Sequence, residues 1–452
     1  MTAQRIPLLI FLLLLLVLTS QNGQTHPAHK RHGVAAKDKK HQTAHHKHRA
    51  ISAHKKRVVV TAKELSVDRV IQRSEAIPKS VRDTLIYGEN NRITNPDQLN
   101  KVKAKLQQTL VSGNTVVRIV HIGDSHIQAG LMTRVLRRGL QNRYGNAGRG
   151  LLFPWQVAKT NGPSDIVSLS ENKWLHGRIS LPGNAVECGV CGYGLQSDSR
   201  DLLLDMRLKP EKGEDNSFDI VRLFTGRTTD SLRIRYNGTE EQVICMEPKA
   251  PFEVPVVLLR MTTSSISLSR VSPDSTAFDF YGASFEKKNT PGVIYHSIGV
   301  NGADFASYNS DPLFFEQLGA LMVDCYIISL GTNDAQDQKL NNEDFCIQVK
   351  NMLINLRRIS PDAAFILTTP APSYLHGKAS NPKIKAVSEM LVKVSDEEKI
   401  SLWDLYGIIG GEELIETLRS YGVYRPDLLH FNRAGYELQG EMLLTAFLKI
   451  TL

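Results

Sequence analysis

Short apolar runs alternate with longer segments of helical periodicity in the last third of the chain. After residue 290 the apolar runs are GVIYHSIGV, VDCYIISLG, AAFILTTP and ISLWDLYG. Between and after them, apolar positions recur every three or four residues, which predicts helices near 312–321, 342–358, 382–398 and 433–448. Strands that alternate with helices form parallel sheets. We therefore expect a parallel α/β domain, and residues 115–145 have the same pattern of one strand and one helix.

The pattern changes between residues 151 and 285. Here short β-like segments such as DIVSLSE, RDLLLDMRL and SLRIRYNG are divided by Gly, Pro, Asn and Asp, and no convincing amphipathic helix occurs. Short strands at regular spacing are typical of antiparallel sandwiches. We expect one α/β domain, formed by 115–150 and 286–452, which is interrupted at 151–285 by an inserted all-β sandwich of jelly-roll type.

Three segments precede the α/β domain. Residues 1–24 contain the 13-residue apolar run IPLLIFLLLLLVL, which is short for a membrane span of about 20 residues and typical of a signal peptide. No A-x-A cleavage site follows, so an uncleaved N-terminal anchor is the alternative. Residues 25–57 are rich in His and Lys and predict a disordered linker, and 58–114 predict a helical extension. We expect export to the periplasm or cell envelope.

The basic charge of the chain is concentrated at its start. The formal net charge is +9, but residues 1–57 hold 11 of the 55 Lys and Arg and only one of the 46 Asp and Glu. The remaining chain is close to neutral, which argues against a nucleic-acid-binding protein. The basic segment could instead associate weakly with an anionic envelope polymer or a membrane surface. Its histidines could capture a metal, although they lack fixed ligand spacing.

Four short motifs follow predicted strands or lie in the last loop of the α/β domain. They are GDSH, GVNGAD, GTND and RPDLLHFN, at 123–126, 299–304, 331–334 and 425–432. Ligands of parallel α/β sheets bind at the carboxyl ends of the strands, so the motifs are candidates for one site. Singly, each is typical of an ordinary turn.

Together the motifs hold the groups that acyl transfer requires. These are a hydroxyl nucleophile, a base, an acid that orients the base, and donors for the developing oxyanion. Ser125 follows a strand, and Asp427 lies three residues before His430, so its carboxylate can reach the imidazole. The backbone N–H groups of Ser125 and Gly302 and the side-chain amide of Asn333 are candidate oxyanion donors.

In this order the motifs resemble the four blocks of the SGNH (GDSL) hydrolase superfamily. The serine, glycine, asparagine and histidine of those blocks match Ser125, Gly302, Asn333 and His430. The resemblance covers both parts of the predicted α/β domain. It implies a flavodoxin-like, three-layer fold with a five-stranded parallel sheet.

A narrower resemblance is to the peptidoglycan O-acetylesterases, in which a carbohydrate-binding-like sandwich interrupts the catalytic domain. It rests on GDSHIQ, on YHSIGVNGAD and on the β insertion. It implies that Ser125 is the nucleophile, His430 the general base and Asp427 its partner. Ser125 N–H, Gly302 N–H and Asn333 Nδ2 would form the oxyanion hole.

The resemblance implies an exported serine esterase that removes O-acetyl groups from a cell-envelope glycan, with peptidoglycan as the leading substrate. The reaction would pass through an acetyl-serine and would need no metal or other cofactor. One alternative is a glycan O-acetyltransferase of the same fold, because water and a sugar hydroxyl compete for the same intermediate. The other is a non-catalytic glycan-binding envelope protein, in which the sandwich carries the function.

Residues beside the motifs receive mainly structural interpretations. Asp124 is expected to fix its turn by accepting backbone N–H bonds, with a role as triad acid as the alternative. Two interpretations of His126 stay open: it lines the site, or it supports the site residues or caps a helix without lining the site. We expect His121 to be a hydrogen-bonded core histidine and Asp334 to cap the helix that follows it.

Cysteines and tryptophans outside the motifs do not indicate a further site. Cys188 and Cys191 form a C-x-x-C without the strand-to-helix context of a redox fold, and either a local disulfide or two free thiols fits. Cys325 lies in an apolar run and is expected in the core. Trp155 and Trp174 are expected in the core as well, with stacking on a sugar ring as the alternative.

Overall fold

The computed structural model describes residues 77–111, 113–210, 213–246, 254–273, 277–375 and 377–451. The predicted signal peptide or anchor (1–24), the predicted linker (25–57) and residues 58–76 of the predicted extension lie outside these ranges. The described residues belong to one compact unit. None of their helices is long and apolar enough to cross a membrane.

Two helices and a short strand precede the first parallel strand of the central sheet. The elements are α1 Lys79–Tyr87, β1 Ile93–Thr94, α2 Asn100–Thr109, β2 Val116–Gly123, α3 Ser125–Gln128 and α4 Leu131–Tyr144. The sequence predicts one helix from about 128 to 144, but the structure has two, divided at Gly130. The φ of Gly130 is 70°, a conformation that glycine adopts without the penalty of a Cβ, and it turns the chain before α4 begins.

The described residues from 148 to 286 form eleven strands and no helix. The strands are β3 Gly148–Leu152, β4 Ile166–Leu169, β5 Leu175–Arg178, β6 Tyr193–Ser197, β7 Leu203–Leu208, β8 Phe218–Thr225, β9 Ser231–Tyr236, β10 Glu240–Cys245, β11 Val256–Thr263, β12 Ser265–Ser272 and β13 Phe278–Glu286. They form two antiparallel sheets, in the orders β10-β9-β12-β7-β4 and β11-β8-β13-β6-β5, and β3 pairs with β13.

The two antiparallel sheets form the inserted sandwich. Along β7, Leu204, Met206 and Leu208 are buried and the residues between them are more exposed, as expected for a sheet with one apolar face. These residues belong to the same core cluster as Phe218 and Leu223 of the other sheet. The insertion is therefore antiparallel and all-β, as the sequence pattern predicts.

Strands and helices alternate again after the sandwich. They are β14 Gly292–Gly299, α5 Phe305–Asn309, α6 Pro312–Gly319, β15 Cys325–Ser329, α7 Thr332–Gln336, α8 Asn342–Ile359, β16 Ala364–Thr368, β17 Tyr374–Leu375, β18 Ala379–Ser380, α9 Pro382–Glu397, β19 Ser401–Trp403, α10 Leu405–Ile409, α11 Ile415–Ser420 and α12 Arg433–Thr451. The end of the run ISLWDLYG, predicted as strand, is the start of α10.

The central sheet has the order β1-β19-β16-β15-β2-β14. Its five parallel strands, numbered along the chain, stand in the order 2-1-3-4-5, which is the flavodoxin-like arrangement. The predicted five-stranded parallel sheet is thus confirmed. The two-residue strand β1 adds an antiparallel edge beside β19 that the pattern did not predict.

Helices cover both faces of this sheet and make three layers. Alternate residues of β2 face opposite layers: Val117 and Ile119 pack in one cluster with α4 and α12, while Val120 and Ile122 pack in another with α6, α8 and α9. The second cluster continues into the sandwich. Because the core is continuous, and because β3 starts at Gly148, the domain boundaries at 151 and 285 stay a prediction.

The position of β2 brings three of the four motifs together. Gly123, at the end of β2, lies beside Gly299 of β14 on one side and Ser329 of β15 on the other. The segments that follow these three strands therefore leave the sheet at the same edge.

Candidate active site

Ser125 is the first residue of α3 and follows β2 after a tight turn. A Cβ on Gly123 would lie 2.3 Å from Ile127 Cγ1 and 2.8 Å from the carbonyl oxygen of Ser329. Glycine is therefore required for the close approach of the strand end to the next helix and the next strand. The turn leaves Ser125 half-buried at the edge of the sheet.

Asp124 fixes this turn, as expected from the sequence. Its Oδ1 accepts a hydrogen bond from His126 N–H at 2.9 Å, and its carbonyl accepts from the N–H groups of Ile127 and Gln128. Asp124 is 1% exposed. Burial raises the pKa of Asp124 to about 7, although the bond from His126 N–H acts in the opposite direction. The alternative role as triad acid does not fit, because the carboxylate that contacts the His430 ring is that of Asp427.

A continuous chain of hydrogen bonds joins Ser125, His430 and Asp427. Ser125 Oγ lies 2.8 Å from His430 Nε2, and His430 Nδ1 lies 2.9 Å from Asp427 Oδ2. The other carboxylate oxygen accepts from the N–H groups of Leu429 and His430. Partial burial opposes ionisation of Asp427, but the bonds from His430 and Leu429 outweigh it and lower its pKa. An ionised carboxylate favours the proton on Nδ1, which leaves Nε2 to accept from the serine.

The loop that carries the histidine is held in a strained conformation. Leu428 has a φ of 54°, in the left-handed region that costs a non-glycine residue roughly 1–2 kcal/mol. Arg425 N–H donates to the carbonyl of His430 at 2.8 Å, and Tyr374 N–H donates to the carbonyl of Leu428 at 3.0 Å. These bonds keep the turn tight enough for the carboxylate to reach the ring three residues later.

The three predicted oxyanion donors come from three adjacent strand ends. Asn333 Nδ2 donates to the carbonyl of Ala303 at 2.8 Å and lies 3.4 Å from Asp124 Oδ2, so its amide contacts the neighbours of both Ser125 and Gly302. The contact with Asp124 is long for a hydrogen bond, which leaves that N–H weakly engaged. Among the described residues, the N–H groups of Ser125 and Gly302 have no hydrogen-bond acceptor.

His126 lies beside the imidazole of His430. Its ring is 5.2 Å from the ring of His430, tilted by 32°, and its Nδ1 lies 3.0 Å from the hydroxyl of Tyr436. Burial, together with the neighbouring His430, lowers the pKa of His126 to about 3. The neutral His126 ring therefore packs beside the His430 ring. It is His430, and not His126, that makes the hydrogen bond to Ser125.

His121 is a core histidine, as expected. It is fully buried in β2, with Nδ1 2.8 Å from the hydroxyl of Tyr295 and Nε2 2.7 Å from Ser329 Oγ. Burial lowers the pKa of His121 to about 3, so the ring is neutral and serves the packing of the sheet.

The expectation that Asp334 caps the following helix is wrong. Helix α7 begins earlier, at Thr332, with Gly331 as its N-cap, so Asp334 is the third residue of the helix. Burial and the neighbouring Asp304 carboxylate raise the pKa of Asp334 to about 8. The GTND motif is thus a helix start, and a helix this short has too few residues to show a period in the sequence.

Trp155 and Trp174 are core residues. Trp155 is 5% exposed and Trp174 is 9% exposed. The ring of Trp155 packs edge-on against Phe153 and Tyr193, with ring centres 5.2 Å apart in each case. Neither ring face is therefore open for stacking on a sugar.

The cysteines are free thiols. Cys188 and Cys191 are both buried without a disulfide between them, and burial raises the pKa of each. Cys325 is fully buried in β15, as expected of a core residue.

Side chains of the sandwich also reach the site, which the sequence reading missed. Ser180, in the loop between β5 and β6, donates from Oγ to the carbonyl of Asn301 at 2.7 Å. Asn301 directly precedes Gly302, and its N–H donates to Gln128 Oε1 at 2.6 Å. Gln128 and Asn301 lie inside the motifs GDSHIQ and GVNGAD, where a role was open to prediction. Ser180 stands in no motif and gives no signal in the sequence.

The groups gathered at the site are a hydroxyl, an imidazole, a carboxylate and N–H donors, which are those that acyl transfer through a serine uses. Within the part of the chain that the structure describes, no group of three or more His, Cys, Asp or Glu side chains is placed to hold a metal ion. The expectation that no cofactor is required stays a prediction.

Sequence comparison matches part of the chain to one family. Residues 267–438 match the GDSL-like Lipase/Acylhydrolase family. The matched range contains Gly302, Asn333, Asp427 and His430, while Ser125 lies before it. No curated protein matches the chain.

Structural comparison finds a likeness over most of the chain. A solved structure described as "Peptidoglycan O-acetylesterase in action, 5 min" aligns with a TM-score of 0.66 and 18% identity, over 78% of this chain and 95% of that chain. The salicylyl-acyltransferase SsfX3 from a tetracycline biosynthetic pathway aligns with a TM-score of 0.29 and 15% identity, over 62% and 93%. A lipase/acylhydrolase from Enterococcus faecalis has a TM-score of 0.26 and 22% identity, over 34% and 74%. Only the first score is high enough to indicate a shared fold.

Proposed function

We propose that the protein is a hydrolase of the SGNH (GDSL) superfamily and, more specifically, an exported serine esterase that removes O-acetyl groups from a cell-envelope glycan, with peptidoglycan as the leading substrate. The match of residues 267–438 to the GDSL-like Lipase/Acylhydrolase family supports the superfamily. The observation that carries the esterase proposal is the unbroken chain from Ser125 Oγ through the His430 ring to the Asp427 carboxylate. It places a nucleophile, a base and an orienting acid in hydrogen-bond contact at the edge of a parallel sheet.

In the proposed first half-reaction, Ser125 Oγ attacks the acetyl carbonyl carbon while His430 Nε2 accepts the hydroxyl proton. The carbonyl oxygen becomes an oxyanion, which Ser125 N–H, Gly302 N–H and Asn333 Nδ2 stabilise. The tetrahedral intermediate then breaks its bond to the sugar oxygen, and His430 returns the proton to that oxygen. The products of this step are the free sugar hydroxyl and an acetyl-serine.

In the second half-reaction, water takes the place of the sugar. His430 accepts a proton from the water, whose oxygen attacks the acetyl carbon of the acetyl-serine. Collapse of the second tetrahedral intermediate releases acetate, and the proton on His430 returns to Ser125 Oγ. The ionised Asp427 stabilises the imidazolium that forms in each half-reaction.

Two observations and one prediction from the sequence support a polymeric glycan ester as the substrate. The His430 and Asp427 side chains are 24% and 49% exposed, so the triad is open enough for a substituent on a large polymer. The fold shared over 95% of the aligned chain is that of a protein whose description names a peptidoglycan O-acetylesterase. The predicted signal peptide would bring the protein to the compartment of such a polymer.

The test is acetate release from purified O-acetylated peptidoglycan, with the same peptidoglycan after mild base de-O-acetylation as the matched control. We expect acetate from the first and none from the second. Failure to release acetate from the O-acetylated polymer, combined with hydrolysis of a small acetyl ester, would overturn the substrate and leave the esterase. Adding a de-O-acetylated glycan acceptor tests the transferase alternative, because acetyl that appears on the acceptor faster than in solution would contradict an esterase.

A further inference from the structure

Asn301, the residue before Gly302, is held at its N–H, its carbonyl and its side chain by side chains outside its own turn. Asn301 N–H donates to Gln128 Oε1 at 2.6 Å, and the Asn301 carbonyl accepts from Ser180 Oγ at 2.7 Å. The Asn301 side chain donates from Nδ2 to Asn161 Oδ1 at 2.8 Å. Two of these three partners, Ser180 and Asn161, belong to the predicted sandwich insertion.

The Ser180 contact fixes more than a carbonyl. The carbonyl of Asn301 and the N–H of Gly302 belong to the same planar peptide unit, in which a trans bond directs the two groups oppositely. A hydrogen bond that holds the carbonyl therefore sets the direction of the N–H. Donation to the carbonyl oxygen also polarises the peptide and strengthens its N–H as a donor.

We propose that Ser180 is a positioning residue for the oxyanion hole, through which the sandwich holds the Gly302 N–H in its catalytic orientation. The inference rests on the proposed function, in which this N–H stabilises the oxyanion. It gives the sandwich a part in the chemical step itself, beside any role in holding glycan.

Because residue 302 is a glycine, neighbouring groups must fix the orientation of its N–H. Its φ is 79°, a conformation that L side chains rarely adopt, and the nearest atoms to an added Cβ are Ser180 Oγ at 3.8 Å and Ser180 Cβ at 3.9 Å. Glycine is therefore required by the backbone angle and not by lack of space. The same conformational freedom lets a glycine peptide rotate, so the orientation of this N–H depends on the bonds made by its neighbours.

The loop that presents Ser180 is itself anchored. Ile179 N–H donates to the carbonyl of Gly192 at 3.1 Å. An added Cβ on Gly192 would lie 2.5 Å from Val300 Cγ2, so this part of the sandwich packs directly on the residue that follows β14. Val190 N–H donates to Gln317 Oε1 in α6 at 3.0 Å. These contacts fix the hydroxyl relative to the α/β domain.

Gln128 connects Asn301, through the Asn301 N–H, to the helix that carries Ser125. It lies three residues after Ser125, is 2% exposed, and its Oε1 also accepts from the Tyr193 hydroxyl at 2.9 Å. Its Nε2 donates to the carbonyl of Asn161 at 2.7 Å. The buried amide of Gln128 therefore links the helix that carries Ser125, the loop before Gly302 and the sandwich. It does not contact the Asn301 carbonyl, for which Ser180 is the sole sandwich donor among the described residues.

The test compares Ser180→Ala, Ser180→Thr and the control Ser197→Ala on a small acetyl ester, with kcat and KM measured separately. We expect Ser180→Ala to lower kcat by roughly 10- to 100-fold, less than the 10²- to 10³-fold typical of deleting an oxyanion donor, at a nearly unchanged KM. Ser180→Thr keeps the hydroxyl and should restore kcat to within about threefold of the wild type. Ser197 is a fair control because it lies in the sandwich and, like Ser180, donates from its hydroxyl to a backbone carbonyl, that of Lys173, at 2.8 Å.

Three results would overturn the proposal. They are a kcat for Ser180→Ala equal to that of Ser197→Ala, a loss in Ser180→Ala that Ser180→Thr does not restore, and a defect on the glycan polymer with none on the small ester. The last result would make Ser180 a glycan contact. Failure of the proposed function is distinguishable, because it would appear as activity retained in Ser125→Ala, whatever the Ser180 variants do.

Discussion

At the scale of single residues, the candidate site consists of groups whose roles are set by burial and by the direction of a few hydrogen bonds. His430 bonds to both Ser125 and Asp427, whereas His126, the residue directly after Ser125, is half-buried and bonds to Tyr436. Ser125, Asp427 and His430 could be identified from the sequence because their motifs keep a fixed order along the chain. The sequence could not identify Ser180, whose role depends on a contact with a residue 121 positions later.

The buried carboxyl of Asp124 gives a prediction for stability against pH. Its pKa is raised from 3.8 to about 7 by burial, so between about pH 4 and pH 7 the unfolded chain has lost this proton while the folded protein keeps it. Stability from this group therefore falls as the pH rises through that window, and the loss is complete above pH 7.

Asp124→Asn keeps a side-chain acceptor for His126 N–H and removes the titration. We expect the thermal midpoint of Asp124→Asn, relative to wild type, to increase from pH 4 to pH 7 and to stay level above pH 8, with a free-energy change of up to about 4 kcal/mol. Thermal unfolding followed by circular dichroism across this range is the measurement. A difference that is constant with pH would show that Asp124 ionises as freely in the folded protein as in the unfolded chain.

At the scale of elements, the turns after the parallel strands decide the site. The four long helices after the sandwich begin where the pattern predicts and end within three residues of it, because each carries several apolar turns. The short helices α5, α7, α10 and α11 were not predicted, since five or six residues give no readable period. The same reason explains why Asp334 was misplaced as a cap.

The turn at Gly302 gives a prediction with a matched control. Gly302→Ala and Gly183→Ala each place a Cβ at a positive φ, 79° and 72°, without a steric clash. Each should lower the free energy of unfolding by roughly 1–2 kcal/mol. Only Gly302→Ala should also lower kcat, by more than about tenfold, because relaxation of its strained angle reorients the N–H. Urea unfolding and ester hydrolysis test both variants. Equal kcat values for the two variants would contradict a role of the Gly302 N–H in catalysis.

At the scale of the whole molecule, the sandwich and the α/β domain share one core cluster. The change of pattern at 151 and 285 predicts an insertion, and the two antiparallel sheets agree with it. Sequence periodicity reports which face of a strand is buried, but it contains no information on which other element covers that face. The contact between Ser180 of the sandwich and Asn301 could therefore be found only in the folded molecule.

The most direct test of the proposed chemistry is the initial rate of acetate release from O-acetylated peptidoglycan by Ser125→Ala, compared with the wild type at equal protein concentration. Removal of the nucleophile should lower the rate by on the order of 10⁴- to 10⁶-fold while binding of the protein to the sedimented polymer is unchanged. An acetate release rate for Ser125→Ala close to that of the wild type would contradict the account.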